Sequence, residues 1–421
     1  MLHARHPKGD DALGAAILAA SSFKTNFTVT PRQVIRAGGP RASVTTSNLT
    51  TVADCPILLE WLKSQKPVLE QIDKGIALGK IQYPPLTISN SIETLHMTGF
   101  AAIYSLKKLN GRYLAECGDN AGAINQFCDI YTMNTMMAAS HGTGLACMIR
   151  NGLTSGGYVG GLKWLSLRNE NNASLLRDIL NRIPSPTYSD PALAKGFQTE
   201  ASLYTLKFFT EIAEQKIYYN TFYSSKLHSL LDPEETTTLA QTIFTQAATN
   251  ACRPWIERNF TLIDQLNRRL EYANVPKPVK DTLSQSILFD SLHNKKDKDT
   301  IEQWKSLKPS VRKEPNVLGL LLLKPSMDFT KSAHERSVKL KCEINLLRAA
   351  LALMIIKAET GNYPDTLDEV VKKGLLTELP LDFFSDKPLH YAPEHRCLWS
   401  IGSDGINNGG ESKTDVIFLL P

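Results

Sequence analysis

The residues best suited to chemistry lie near the C-terminus, in SIGSDGINNGGESKTD, residues 400–415. Asp404, Glu411 and Asp415 offer carboxylates, and Ser403, Asn407 and Asn408 add neutral oxygens. Gly402, Gly405, Gly409 and Gly410 let the backbone turn its carbonyls inward. Hard oxygen donors of this kind suit calcium, which takes six to eight of them. The acidic spacing is not that of an EF-hand. The same residues also form metal-free turns, because Asn and Asp side chains accept from their own backbone two residues on. Both readings stay open on the residues alone. Any ion here has a structural role, since metal-assisted hydrolysis needs an open coordination position in a polar cleft.

Other reactive residue types lack partners. The stretch HGTGLACMIRNGLTSGGYVGG, residues 141–161, opens on a His-Gly pair that can build an oxyanion hole in some hydrolases. No GxSxG elbow accompanies His141, and Gly152-Leu-Thr-Ser155-Gly156 has the wrong spacing. A phosphate-loop lysine is also missing, so these glycines read as close helix packing and turns. The nine histidines form no HExxH, and His390 and His395 flank a hairpin turn. Seven cysteines with no CxxC pair read as free, mostly buried thiols. The acidic pairs Asp10-Asp11 and Glu234-Glu235 sit at helix starts, where the dipole favours them. No set assembles a nucleophile, a base and an orienting group, so no catalytic residue is assigned and an enzyme is not expected.

The elements around these residues are mostly helical. A period of three to four marks residues 57–78, interrupted at Pro67, and then 93–117. Gly118-Asp119-Asn120 joins that helix to a second one, making an antiparallel hairpin. Further helices are expected at 162–183, 201–220 and 234–271. Val317 to Leu323 reads as a short buried element. The strongest helix covers 331–359 and stops at Gly361. A short helix follows, with Thr366 and Glu369 at capping-box spacing. Three short strands, 389–391, 397–401 and 415–419, then pair antiparallel. The expected fold is mainly α: a body of antiparallel helices followed by a small α+β module with a long helix and an antiparallel sheet. The divisions are 1–90, an irregular and helical segment; 91–275, the helical body; 276–330, a linker with short buried elements; and 331–421, the module. A net charge of +5 with no basic stripe excludes a dedicated nucleic-acid binder, and Lys295 to Asp299 mixes both signs. No run of eighteen apolar residues predicts a transmembrane helix.

In order, the long helix, GNYPDTLDEV, LPLDFFSDKPLHY, LWSIGSDGINNGG and TDVIF resemble the C-terminal part of type II secretion major pseudopilins, the calcium-binding kind. The resemblance covers 331–421. It implies a helix packed on a small antiparallel sheet, and a calcium ion held by two aspartates and main-chain carbonyls. Asp404 of SIGSDG and Asp415 of TDVIF match those aspartates. The whole chain is similar to uncharacterised envelope proteins of planctomycete-type bacteria, in which a helical body precedes this tail; AECGDNAGAINQF and PNVLGLLLL carry that likeness. That group usually has an N-terminal membrane anchor. None is read here, so a trimmed or truncated product is one expectation. Lys339, Lys341 and Glu343 lie in a helix that in pseudopilins holds the pilus together, so filament assembly is not expected. The resulting expectation is a non-enzymatic structural or protein-interaction protein of the cell envelope or periplasm, with protein partners and no nucleic acid. The alternatives are an extracytoplasmic hydrolase with a site near His141, and a cytoplasmic adaptor.

Overall fold

The computed structural model describes residues 51–53, 55–79, 92–139, 144–187, 317–411 and 414–421. The helices expected at 201–220 and 234–271, together with His141 and Cys252, lie outside the described residues. The chain forms two compact units, one of residues 1–188 and 335–421, the other of 189–334. Only the first part of one helix, from Val317, is described in the second unit.

The first unit opens with α1 (Pro56–Ser64) and α2 (Lys66–Ala77). The break falls at Gln65, and Pro67 opens α2, where its missing N–H costs nothing. Helices α3 (Ile92–Glu116) and α4 (Asn120–Ala139) form the expected hairpin. Gly118 turns it with a φ of 89°, and Asp119 accepts the Gly122 N–H at 2.8 Å, capping α4.

The glycine-rich stretch is helical where turns were also expected. α5 (Gly144–Thr154) runs through a π-helical turn, Ser155–Val159, into α6 (Gly160–Arg168). Packing explains two of its glycines, Gly157 and Gly161, whereas Gly152 and Gly156 have open space beside them. A Cβ on Gly157 would lie 2.9 Å from Ile130, and one on Gly161 would lie 2.5 Å from Phe127. The helix expected over 162–183 is interrupted at Asn169. Asn172 then starts α7 (Ala173–Asn181), accepting the Leu175 N–H at 3.1 Å.

The long helix α8 spans Val317–Thr360, through Pro325, so the short element expected at 317–323 is its first part. It ends at Gly361, with φ 89°. The short helix α9 (Glu369–Lys372) is entered through Asp368 with no side-chain cap, so Thr366 and Glu369 do not form the expected capping box. Two antiparallel sheets follow. The first pairs β1 (Leu381–Asp382) with β2 (Lys387–Pro388), and the second orders β3 (His390–Ala392), β4 (Cys397–Ser400) and β5 (Val416–Leu419). Three of these strands were expected; the β1–β2 pair was read as a turn.

One apolar core joins helices α1 to α7 to α8, α9 and the larger sheet. In α8, Leu346, Leu347 and every residue from Ala349 to Ile356 are at most 2% exposed, so this stretch is covered on all sides. Ion pairs cross-link the helices: the buried Lys107 of α3 bridges the half-exposed Asp73 of α2 and the partly buried Asp129 of α4. The six described cysteines are free, and all but Cys117 and Cys128 are buried. No helix among the described residues is long and apolar enough to cross a membrane.

Candidate functional site

The loop between β4 and β5 is held by its own polar side chains. Asn407 Oδ1 accepts from Trp399 Nε1 at 2.9 Å and from the Gly409 N–H at 3.0 Å, which pins the loop to the sheet. Trp399 stacks on His390 across the strand pair, 5.2 Å between ring centroids. Gly402 approaches the Thr414 carbonyl so closely that a Cβ would sit 2.1 Å from its oxygen, and its φ is 71°. Only glycine fits there.

The two aspartates singled out in the sequence occupy different environments. Asp404 is exposed; its Oδ1 accepts from the Ile406 N–H at 3.1 Å and its Oδ2 from Asn408 at 3.3 Å. This is an Asx turn. Asp415 is buried, and its Oδ2 accepts from the N–H groups of Gly410 at 2.7 Å and Glu411 at 3.2 Å. Its Oδ1 is buried with no hydrogen-bond partner. A buried carboxylate oxygen left bare is costly, and a cation or a water relieves it. Asn408 links the two ends of the loop by donating to Asp404 and, at 3.0 Å, to Thr414. Among the described residues, no three His, Cys, Asp or Glu side chains converge as a metal set. An ion at Asp415 therefore needs main-chain carbonyls or water to complete its shell. Burial of Cys397 pushes its thiol pKa up, and the Asp415 carboxylate adds to the effect.

A second polar centre was missed in the sequence. Asp382, fully buried at the end of β1, accepts at Oδ1 from Ser400 Oγ at 2.7 Å and the Phe384 N–H at 2.9 Å. Its Oδ2 accepts from the Ile401 N–H at 2.9 Å, and the Cys342 thiol of α8 lies 3.5 Å from Oδ1. One carboxylate thus ties α8, the β1 turn and the end of β4 together. Asn345 of α8 adds a bond to the Leu381 carbonyl at 2.9 Å. Burial drives the Cys342 thiol pKa far up, with Asp382 adding to the effect, so Cys342 stays a thiol.

The third centre lies at the π-helical turn. Ser155 Oγ donates to Glu343 Oε2 of α8 at 2.5 Å. Turns of this kind recur at functional sites, but Ser155 lies within a continuous helical run facing α8, not on a strand-to-helix elbow. Burial raises the Glu343 carboxyl, while Ser155, Lys339 and Lys163 pull it down. Burial lowers the Lys163 ammonium, which sits 4.1 Å from the Phe418 ring centre of β5. The folded form holds the Glu343 proton more tightly than the unfolded chain does. This group therefore favours the folded state below the ordinary glutamate pKa, and that contribution fades as pH rises through the folded value. Glu343→Gln keeps an acceptor for Ser155 and removes the titration. The expected result is a smaller loss of urea-unfolding midpoint between pH 4.5 and 7 than in the parent; an unchanged pH profile refutes the assignment.

His390 is half-buried against Trp399, and His395 is exposed on a 3-10 turn, Pro393–His395. In the C-terminal part the described residues thus hold the structural carboxylates Asp382 and Asp415, and Ser155 and Glu343 make an acid–hydroxyl contact between helices. Comparison with family models, with curated proteins and with solved structures finds no match.

Proposed function

We propose that the chain is a non-enzymatic structural or protein-interaction protein of the cell envelope, with a C-terminal module that resembles major pseudopilins. The observation that carries this reading is the order of elements after Glu335: a long helix, a short helix and a small antiparallel sheet, with the glycine-rich loop between the last two strands. The polar centres support it as well, because each holds elements together and none is arranged around a reacting atom. Its partners are proteins. A tagged chain, made from its own coding region in the organism that encodes it, is expected in the envelope fraction together with cross-linked protein partners. Recovery in the cytoplasmic fraction rejects the envelope assignment and favours the adaptor.

The loop is proposed to take calcium at Asp415, with Asp404 as the second carboxylate. The bare Oδ1 of Asp415 supports this, and Asp404 must loosen its Asx turn to contribute. Extracellular calcium modules bind the ion with Kd of roughly 10⁻⁴–10⁻³ M, the range expected here. At 10 mM calcium the folded state then gains about 1.4–2.7 kcal/mol, a rise of several degrees in Tm. Asp415→Asn is expected to abolish the rise. Equal Tm values in 10 mM calcium and in chelator reject the site.

A further inference from the structure

We infer that Arg348 of α8 and Tyr158 of the π-helical turn form a binding site for the anion of a small carboxylic acid. The site does not depend on the envelope assignment or on the calcium loop.

Tyr158 is 0% exposed, and its hydroxyl has no hydrogen-bond partner. An O–H left bare in a protein interior is costly, and such groups are normally satisfied. The Arg348 guanidinium holds further donors in the same state. Its Nη1 donates to Ser185 at 2.9 Å and, more weakly, to Asn345 at 3.5 Å, while Nε is buried and bare. Nη2 donates to no described residue. Nε and Nη2 share one edge of the planar fork, an edge that takes both oxygens of a carboxylate. Burial drives the Tyr158 hydroxyl pKa far up, and the Arg348 charge acts against that rise, so the two groups lie within electrostatic reach. The hydroxyl therefore stays protonated and is a donor. Donors without an acceptor, two of them on a guanidinium that keeps its charge, call for an anion. The acid before Arg348 on α8, Glu343, is taken by Ser155. Glu378, whose charge reaches Arg348, is exposed and makes no bond to it. One guanidinium balances one negative charge, which fits a carboxylate and not a phosphate dianion. The Tyr131 ring, 4.8 Å from that of Tyr158, adds an aromatic wall suited to the short hydrocarbon part of such an acid. Entry follows Arg348 itself, which is only partly buried and ends at the exposed Ser185. Turns of the π-helical kind are frequent at functional sites.

The test compares Tm of the full chain in sodium acetate and in sodium chloride at equal ionic strength. With a Kd of about 1 mM, ordinary for so small a ligand, about 50 mM acetate is expected to raise the parent Tm by several degrees. Tyr158→Phe keeps the ring and removes only the bare hydroxyl. Its Tm in chloride is expected to equal or exceed the parent's, and its acetate rise to fall by about half or more. Arg348→Met is expected to abolish the rise; if that variant does not fold, Tyr158→Phe decides alone. Phosphate is expected to give no rise that Tyr158→Phe removes. No acetate rise in the parent overturns the inference, as does a rise that Tyr158→Phe leaves intact. A Tyr158→Phe protein less stable than the parent in chloride also overturns it, by giving the hydroxyl a structural bond. A rise that appears only in Glu378→Gln assigns the Arg348 edge to Glu378 and overturns it too.

Discussion

Asp382→Ala is expected to destabilise the first unit by about 3–5 kcal/mol, read from urea unfolding. The carboxylate is fully buried, and two backbone N–H groups and one hydroxyl depend on it. Alanine leaves the N–H groups of Phe384 and Ile401 and the Ser400 hydroxyl without their acceptor. Each orphan costs about 1–3 kcal/mol, and entering water recovers part of the sum. Asp382→Asn retains one acceptor oxygen but turns an amide toward a donor, so a loss of about 1–3 kcal/mol is expected. Ser400→Ala removes one of the dependent donors. The pair Asp382→Ala and Ser400→Ala should therefore be less destabilising than the sum of the singles. A loss under about 1 kcal/mol for Asp382→Ala would mean the carboxylate does not hold these elements together.

That result bears on how the site was legible. LPLDFF reads as a turn because Asp lies between Pro380 and Pro388, and local propensity carries no more than that. Burial of Asp382 depends on Ser400, eighteen positions later, and on Cys342, forty positions earlier. Local sequence marks Asp404 and Asp415 instead, whose glycine-rich setting signals a loop with oxygen donors. The structure separates those two: Asp415 has a buried bare oxygen, and Asp404 closes an exposed Asx turn.

The helices show the same division between local and distant causes. Leu340, Ile344, Leu347 and Leu351 give the spacing of one apolar face, and a helix does form there. Burial of its other faces comes from residues such as Ser155 and Glu170, which lie nearly two hundred positions away. The hint was the run Ala349 to Ile356, with no polar residue, because a helix apolar all round must be covered all round. The π-helical turn left no such mark. The glycines of 141–161 read as close helix packing and turns; Gly157 does pack against Ile130, but within a helical run and not at a chain reversal. The turn at 118–120 was legible because Gly, Asp and Asn act on their own neighbours.

The second large effect concerns Phe127, and its value lies in a change of sign. Phe127 of α4 is fully buried, and Gly111 of α3 and Gly161 of α6 press against its ring. A Cβ at 111 would lie 2.7 Å from the ring, and one at 161 would lie 2.5 Å away. Phe127→Ala should cost about 3–5 kcal/mol through lost burial and a residual cavity. Gly161→Ala alone should cost about 1–3 kcal/mol, because ring and helix must move apart in a packed core. By helix propensity alone, the same substitution favours the fold by about 1 kcal/mol. In the Phe127→Ala background the ring is gone and the clash with it, so Gly161→Ala should become stabilising. A four-member cycle of urea-unfolding free energies measures this directly. If Gly161→Ala is equally destabilising with and without the ring, the glycine serves some purpose other than admitting Phe127, and the packing of α4 against α6 needs another explanation. The sign reversal would show that Gly161 is there for close approach, since chain flexibility at Gly161 would be lost equally in both backgrounds.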